Sequence, residues 1–384
     1  MECYFDNSAT TRCSDAAADK MRQVLLTDFG NPSSLHGKGM QAENYVKESR
    51  EIIAKTLKCE PKEIIFTSGG SESNNLAIFG SVRANKRVGK HIITTAVEHA
   101  AVYMPFKELE KQDIDVTFLP TDETGVIRLE DLENALTDDT VLVAMMHVNN
   151  EIGSVMPIAE AGKLIHEKCP DALFFVDAIQ SYGKVQIIPK KMGIDMLSVS
   201  GHKIHGPKGS GFLYKRDKVK LDPIIFGGGQ EYGYRSGTEN VPAIAGLGLA
   251  VQEMFADFDG HRKHLFELRD HLAEKLSDID AVSFNSGLDE NSAPQILSVS
   301  VDGVRAEVLL HALEDKEIYV SAGSACSSNR PSISRTLKSI GLKDSLLEST
   351  VRFSFSIYNT MEQVDYASDV MHELIPVLLK YRRF

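Results

Sequence analysis

Residues 198–214 read SVSGHKIHGPKGSGFLY, and the place of Lys203 in this stretch decides how the chain is organised. A lysine in mid-chain is ordinarily a solvated surface residue. Here it follows DMLSVS, an apolar run with the length and composition of a buried strand, and precedes GSGFLYK, which reads as the next strand. The connection carries two histidines and four glycines, and glycine lets the backbone approach a ligand closely. A lysine fixed at a strand end, over a shallow pocket, suits Schiff-base chemistry better than a surface role.

Outward from this turn, strand and helix patterns alternate from about residue 40 to residue 215. QAENYVKESREIIAKTL has apolar residues at helical spacing. EIIFTS reads as a strand, ESNNLAIFGSVRAN as a helix and HIITT as a strand. AAVYMPFKELEKQ, DVTFL, LEDLENAL, VLVAMMHV, IAEAGKLIHEK, LFFVDA and MLSVS continue the pattern. Such alternation predicts an α/β fold with a mostly parallel central sheet covered by helices on both faces. Ligands of these sheets collect beyond the carboxyl ends of the strands. From VPAIAGLG a long helical region is expected to run to HLAEKL. The remainder, through ILSVSV, RAEVLLHALED, IYVS, RTLKSIG and VRFSFS to a final helix, reads as a second, smaller α+β domain.

The chain has 384 residues, of which 42% are hydrophobic and 25% charged, with a formal net charge of -12. The length suits one large domain and a smaller one. The acidic balance argues against direct nucleic-acid binding, which needs basic patches. MECYFDNSATT lacks the basic and apolar regions of a signal peptide, and VPAIAGLGLAV is too short and glycine-rich to span a bilayer. A cytoplasmic protein with no membrane partner is expected. Cys3, Cys13, Cys59, Cys169 and Cys326 form no CxxC pair, so neither a zinc ribbon nor thioredoxin chemistry is indicated and no metal site is expected. An odd, scattered set reads as free thiols.

Five strand ends carry polar chemistry. After EIIFTS comes GGSESNN, in which Gly70 and Ser71 open a helix and offer backbone N–H groups and a hydroxyl to a phosphate. His99 stands at the next strand-to-helix junction, where a capping role is the simpler account. Asn149, Asn150 and Glu151 crowd after AMMHV. Asp177 ends LFFV, followed by Gln180. A carboxylate at the end of an apolar strand is costly unless paired, so a cation partner is expected. Lys203 ends the next strand. An Asp and a Lys at neighbouring strand ends, below a phosphate cradle, match what pyridoxal 5'-phosphate needs. The carboxylate keeps the pyridine nitrogen protonated and the lysine holds the aldehyde carbon.

FDNSATT, GNPSSLHG, FTSGGSESNN, EHAAV, MHVNNEIG, VDAIQSYGK, SGHKIHGPKG, GGGQEYGYRSGTEN and SAGSACSS together resemble cysteine desulfurases of the NifS/IscS type, which have the class V aminotransferase fold. The resemblance covers nearly the whole chain. It implies the fold of type I pyridoxal-phosphate transferases. The large cofactor-binding domain would span residues 15–255, and a small domain with the cysteine loop would be built from 1–14 and 256–384. It further implies Lys203 as the covalent lysine, Asp177 on the pyridine nitrogen, Gln180 on the phenolic oxygen, and His99 stacked on the ring and active in proton transfer. Gly70, Ser71, Ser200 and His202 would hold the phosphate, and Asn150 would touch the cofactor edge and the substrate. Thr238 would reach the phosphate of a partner subunit, making the active unit a homodimer. Arg352 would grip the substrate carboxylate. Cys326 becomes the catalytic thiol that takes sulfur from L-cysteine as a persulfide. Its small, polar neighbours suit a mobile loop.

Ser71 stands where threonine is more usual in that family, and the hydroxyl is kept. His205 stands where an aromatic or apolar residue is common and reads as structural. The sequence ends soon after its last helix, at YRRF, where relatives that feed an iron–sulfur scaffold continue further. A tRNA-thiolation enzyme is therefore as suitable a sulfur acceptor as a scaffold. Other activities on the same fold are a selenocysteine lyase, a cystine-cleaving lyase and an aminotransferase, the last having no use for Cys326. A non-catalytic sulfur-carrier adaptor would not need intact Lys203, Asp177, His99 and Arg352.

Overall fold

The computed structural model describes residues 1–289, 291–322 and 334–381. A short strand β1 (Cys3–Tyr4) is followed by helices α1 (Asp15–Leu26) and α2 (Gly37–Leu57). Next come β2 (Ile64–Thr67), α3 (Gly70–Ala84), β3 (His91–Thr95), α4 (Ala100–Glu110), β4 (Asp115–Leu119) and α5 (Leu129–Ala135). They continue with β5 (Thr140–Met146), α6 (Ile158–Lys168), β6 (Leu173–Asp177), β7 (Met196–Ser200) and β8 (Gly211–Lys215). Helices α7 (Val241–Ala256) and α8 (Phe258–Leu276) lead to β9 (Val282–Phe284), β10 (Ile296–Val301), α9 (Ala306–Glu314), β11 (Ile318–Tyr319) and β12 (Ser321–Ala322). After α10 (Arg335–Ser339) and α11 (Asp344–Leu347), β13 (Thr350–Ser354) precedes the long α12 (Met361–Leu379).

The large sheet has the order β2-β8-β7-β6-β5-β3-β4. Pairings from β7 to β4 are parallel, and β8 runs antiparallel to both β2 and β7. The carboxyl ends of β2, β3, β5, β6 and β7 therefore lie along one edge. Both faces of this sheet are buried, which is why its strands are apolar at consecutive positions rather than alternating. Ile93, Val143, Phe174, Val176 and Leu197 belong to the core on one face. Ile92, Leu142, Phe175 and Met196, displaced by one residue, belong to the core on the other, with Leu76 and Ile78 of α3 and Val102 and Phe106 of α4.

A second core surrounds the sheet β12-β13-β10-β9, whose pairings are antiparallel. Leu268 and Leu272 of α8, Leu309 of α9 and Met371 of α12 pack there on Val299, Val351 and Phe353. The N-terminal strand belongs to this region. β1 pairs with β11, and Phe5 is fully buried against Phe353 and Phe355.

Two elements differ from the sequence expectation. The helical region from VPAIAGLG to HLAEKL is two helices bent by 76°. Asp257 breaks it by leaving helical geometry and accepting the Gly260 N–H as the cap of α8. IYVS divides into β11 and β12, which serve different sheets. Among the described residues, no single helix is long and apolar enough to cross a membrane.

Candidate active site

A cavity of about 380 Å³ opens at the carboxyl edge of the large sheet, facing β12 and β13. Its size lies in the range of small-molecule sites, roughly 300–1,000 Å³. Lys203, Asp177, His99, Gly70, Ser71, Asn150, Gln180, Ser200, His202 and Arg352 all line it. Asp177 and Ser200 end their strands, and the other residues except Arg352 come from the short segments that follow the strand ends.

Lys203 ends a single 3-10 turn, Gly201–Lys203, that follows β7 without a gap. Its Nζ donates to the carbonyls of Ser8 (2.5 Å) and Ala9 (2.6 Å) in the N-terminal arm. That arm is stitched to the turn, since the Thr11 N–H donates to the His202 carbonyl at 2.8 Å and the His205 N–H to Thr11 Oγ1 at 2.8 Å. Lys184 Nζ donates to the carbonyl of Lys203 at 2.9 Å. Burial, with help from the Lys203 charge, pushes the Lys184 ammonium down to about 7.

Asp177 is buried at the end of β6. The sequence led to the expectation of a cation beside it. Its hydrogen-bond partners are instead neutral: Asn74 Nδ2 donates to Oδ2 at 2.9 Å and the Ile179 N–H to Oδ1 at 3.0 Å. Burial raises its pKa, and His99, the two hydrogen bonds and Lys203 oppose that rise. His99 does cap α4, as the simpler account held, and it lines the cavity as well. The Ala101 N–H donates to its Nδ1 at 3.1 Å. That bond makes Nδ1 an acceptor, so the neutral ring carries its proton on Nε2. Burial lowers the pKa of His99, with Asp177 opposing.

At the other end of the cavity, α3 begins at Gly70 and presents its first-turn N–H groups. Gly69 has φ +145°, and a Cβ on Gly70 would lie 2.2 Å from Ile179 Cδ1. The two glycines thus let the helix start close to the segment after Asp177. Ser200 and His202 flank this end. Burial holds the His202 pKa at about 4, and its Nδ1 pairs with Thr10 Oγ1 at 3.1 Å. Gln180 is buried and donates through Nε2 to the Ser8 carbonyl at 2.9 Å.

Arg352 comes from β13, in register with Ser298 of β10 and Ser321 of β12. Its Nη1 donates to the Asn150 carbonyl at 2.6 Å and its Nη2 to Asp6 Oδ1 at 2.7 Å. Nε is buried and has no hydrogen-bond partner among the described residues.

Residues 3–367 match the family model for class-V aminotransferases. The chain belongs to the class-V aminotransferase family. It is 40% identical to a cysteine desulfurase IscS of Dictyoglomus turgidum, over 98% of this chain and 95% of that protein. A solved NifS-like protein superimposes with a TM-score of 0.93 at 36% identity, covering 98% of this chain and all of the other. A structure of SspA in complex with cysteine gives a TM-score of 0.78 at 35% identity, covering 93% of this chain and all of that one. The fold is that of the type I pyridoxal-phosphate transferases, and members of this family depend on that cofactor.

The residues present fit the cofactor. A buried carboxylate that meets only neutral donors, Asp177, suits a pyridinium N–H. A helix N-terminus opened by two glycines suits the phosphate. The Ser8 hydroxyl, buried beside Lys203 without a hydrogen-bond partner among the described residues, adds a polar group to the wall.

One expected site residue, Thr238, is not brought to this cavity. Thr238 is exposed and lines a separate depression with Ser68, Gly209 and Glu239. Arg235, in the same loop, is held within its own chain by Glu72, at 2.8 Å from Nε to Oε1. Cys326 lies outside the described residues. Its described flanks are anchored near the cavity: Ser321 lines it, and Arg335 donates to the carbonyls of Ala96 and Glu98, just before His99. His205 faces away, pairing with the Arg12 carbonyl and meeting the Tyr358 ring edge-on.

Sequence reasoning gave no role to Asp6, Asn74 or Lys184. Each stands in a quoted motif, but their partners lie 346, 103 and 19 positions away, and nothing local signals those contacts. A buried amide such as Asn74 needs partners, but its burial shows only in the fold.

Proposed function

We propose that this chain is a pyridoxal-phosphate-dependent cysteine desulfurase. It converts L-cysteine to L-alanine and keeps the sulfur as a persulfide on Cys326. One observation carries the reading: Lys203, Asp177, His99 and Arg352 line a single cavity, in a chain whose full-length relatives are cysteine desulfurases. When bound, the cofactor supplies an electron sink for the bonds of the substrate Cα.

The chain's own residues do the rest. Lys203 would hold the cofactor covalently and, once released, take the Cα proton on Nζ. Asp177 would keep the pyridine nitrogen protonated. Gln180 would bond the phenolic oxygen, and Asn150 would contact the cofactor edge. Gly70, Ser71, Ser200 and His202 would hold the phosphate. His99 would stack on the ring and act in proton transfer, and its proton on Nε2 supports that reading. Arg352 would pair with the substrate carboxylate, as a guanidinium fork suits. The thiolate of Cys326 attacks the substrate sulfur. A sulfur–sulfur bond forms as the carbon–sulfur bond breaks, and a proton on Cβ completes alanine.

The resemblance supports a homodimer in which Thr238 reaches the partner's phosphate end, and so do its exposure and that of Phe226 and Tyr232 in the same segment. The large domain of residues 15–255 would carry the cofactor, and 1–14 with 256–384 the cysteine segment. The persulfide would then pass to a protein acceptor, an iron–sulfur scaffold or a tRNA-thiolation enzyme. Incubation with L-cysteine tests the activity. Alanine should appear, with sulfide only when a reductant is added. Without reductant, the peptide containing Cys326 should gain the mass of one sulfur atom. Pyruvate or free sulfide in place of alanine and persulfide would replace this reading with a lyase.

A further inference from the structure

Asp6 has no place in the chemistry above, yet it lines the same cavity as Arg352 and holds it at 2.7 Å. Its backbone is fixed by a bridge to Ser354 on Arg352's own strand and by the Ala9 N–H, which donates to its carbonyl at 3.0 Å. The two side chains are largely withdrawn from solvent, 7% exposed for Arg352 and 22% for Asp6. A guanidinium so paired is a poor receptor for a free carboxylate. The incoming anion must displace Asp6 from Nη2, or share the fork with a like charge at short range in a partly dry cavity.

A ligand tethered at its other end is in a different position. Its carboxylate competes with Asp6 at a high effective concentration, so the exchange costs it much less. We propose that Asp6 is a specificity-determining residue, which keeps small free carboxylates out of the Arg352 subsite and reserves it for amino acids anchored through the amino group as well. Nε of Arg352, buried without a hydrogen-bond partner among the described residues, is a further donor that Asp6 leaves open to the anchored carboxylate. The inference rests on Arg352 being the carboxylate grip.

The probe is propionate, which carries the carboxylate but no amine. Its affinity for the cofactor-loaded enzyme is measured by calorimetry, beside steady-state KM for L-cysteine. Asp6→Asn keeps the shape of the side chain and removes its charge. Propionate should bind it at least about tenfold more tightly than wild type, while KM for L-cysteine changes by much less. Asp6→Glu, which keeps the charge, should keep the rejection of propionate. Unchanged propionate affinity in Asp6→Asn overturns the proposal. So does a parallel loss of propionate and L-cysteine binding, which would make Asp6 a support for Arg352 and not a filter. Arg352→Gln separates the two levels. If it leaves KM for L-cysteine unchanged, the carboxylate grip itself is misassigned. If KM rises but Asp6→Asn does not admit propionate, only the filter fails.

Discussion

Asp177 stands at the end of a strand with parallel neighbours on both sides, and its partners come from the next residues and from the helix packed on the same sheet. Arg352 reaches the same cavity from a smaller antiparallel sheet, aimed by Asn150 and Asp6, which lie 202 and 346 positions away. The floor of the cavity is thus set by secondary structure, and each strand end delivers its residue to one edge. The wall is set by a few side-chain contacts between remote segments. Floor residues should be replaceable in their chemistry without being displaced. On the wall, Arg352 should act through position, so that a change of its shape at constant charge is felt.

The largest effect is expected on the floor. Lys203→Ala should remove any borohydride-reducible lysine linkage to the cofactor and lower turnover by about 10³-fold or more, with the fold intact by circular dichroism. A reducible linkage that persisted would move the covalent lysine elsewhere. The wall comes next. Arg352→Lys keeps the positive charge but loses the planar fork. KM for L-cysteine should rise roughly 10- to 100-fold, the size of a lost charge-assisted hydrogen-bond pair, with kcat changed far less. If kcat fell and KM held, Arg352 would belong to the chemistry and the contrast between wall and floor would fail.

A smaller effect lies beneath the floor, at Glu98, beside His99. Its Oε1 accepts from Thr95 Oγ1 (2.7 Å) and the Met146 N–H (2.9 Å), while Oε2 is buried without a partner among the described residues. Burial raises its pKa to about 8. An unfolded glutamate titrates near 4.3. Between these values the folded state holds a proton that the unfolded state has lost, so this group's stabilising contribution falls as pH rises from about 4 to 8. Glu98→Gln mimics the protonated acid and should remove that fall. In urea titrations, the variant's midpoint relative to wild type should improve from pH 5 to pH 8. An equal offset at both pH values would mean that Glu98 is ionised in the folded protein.

The same contrast explains what could be read from the sequence. Each floor residue announces itself locally. An apolar strand that stops at Asp177, or one that stops at Ser200 before the turn bearing Lys203, places a polar group at a predictable edge. His99 was legible as a cap and, through its motif, as a site residue. The α/β order of the elements followed from apolar runs and helical spacing in the same way. The wall carried no such signal. Asp6 sits in a quoted motif, but a carboxylate in an N-terminal arm says nothing of an arginine 346 positions on. The neutral hydrogen-bond partners of Asp177 are also hidden, since Asn74 approaches from a helix whose packing no pattern specifies. The break at Asp257 leaves no pattern in the sequence, because VPAIAGLG and HLAEKL are each helical in pattern and the cap between them acts through one side chain.

The proposed function divides the labour, with proton chemistry at Cα falling to Lys203 and sulfur abstraction to Cys326. Rapid mixing of the Cys326→Ser variant with L-cysteine tests it most directly, with the cofactor's visible absorption and alanine release followed together. A serine hydroxyl stays protonated at neutral pH and cannot replace a thiolate as the attacking group. The absorption should still shift as in wild type, because binding at Arg352 and proton removal by Lys203 are intact, and alanine release should be lost. Alanine released at the wild-type rate would overturn this division.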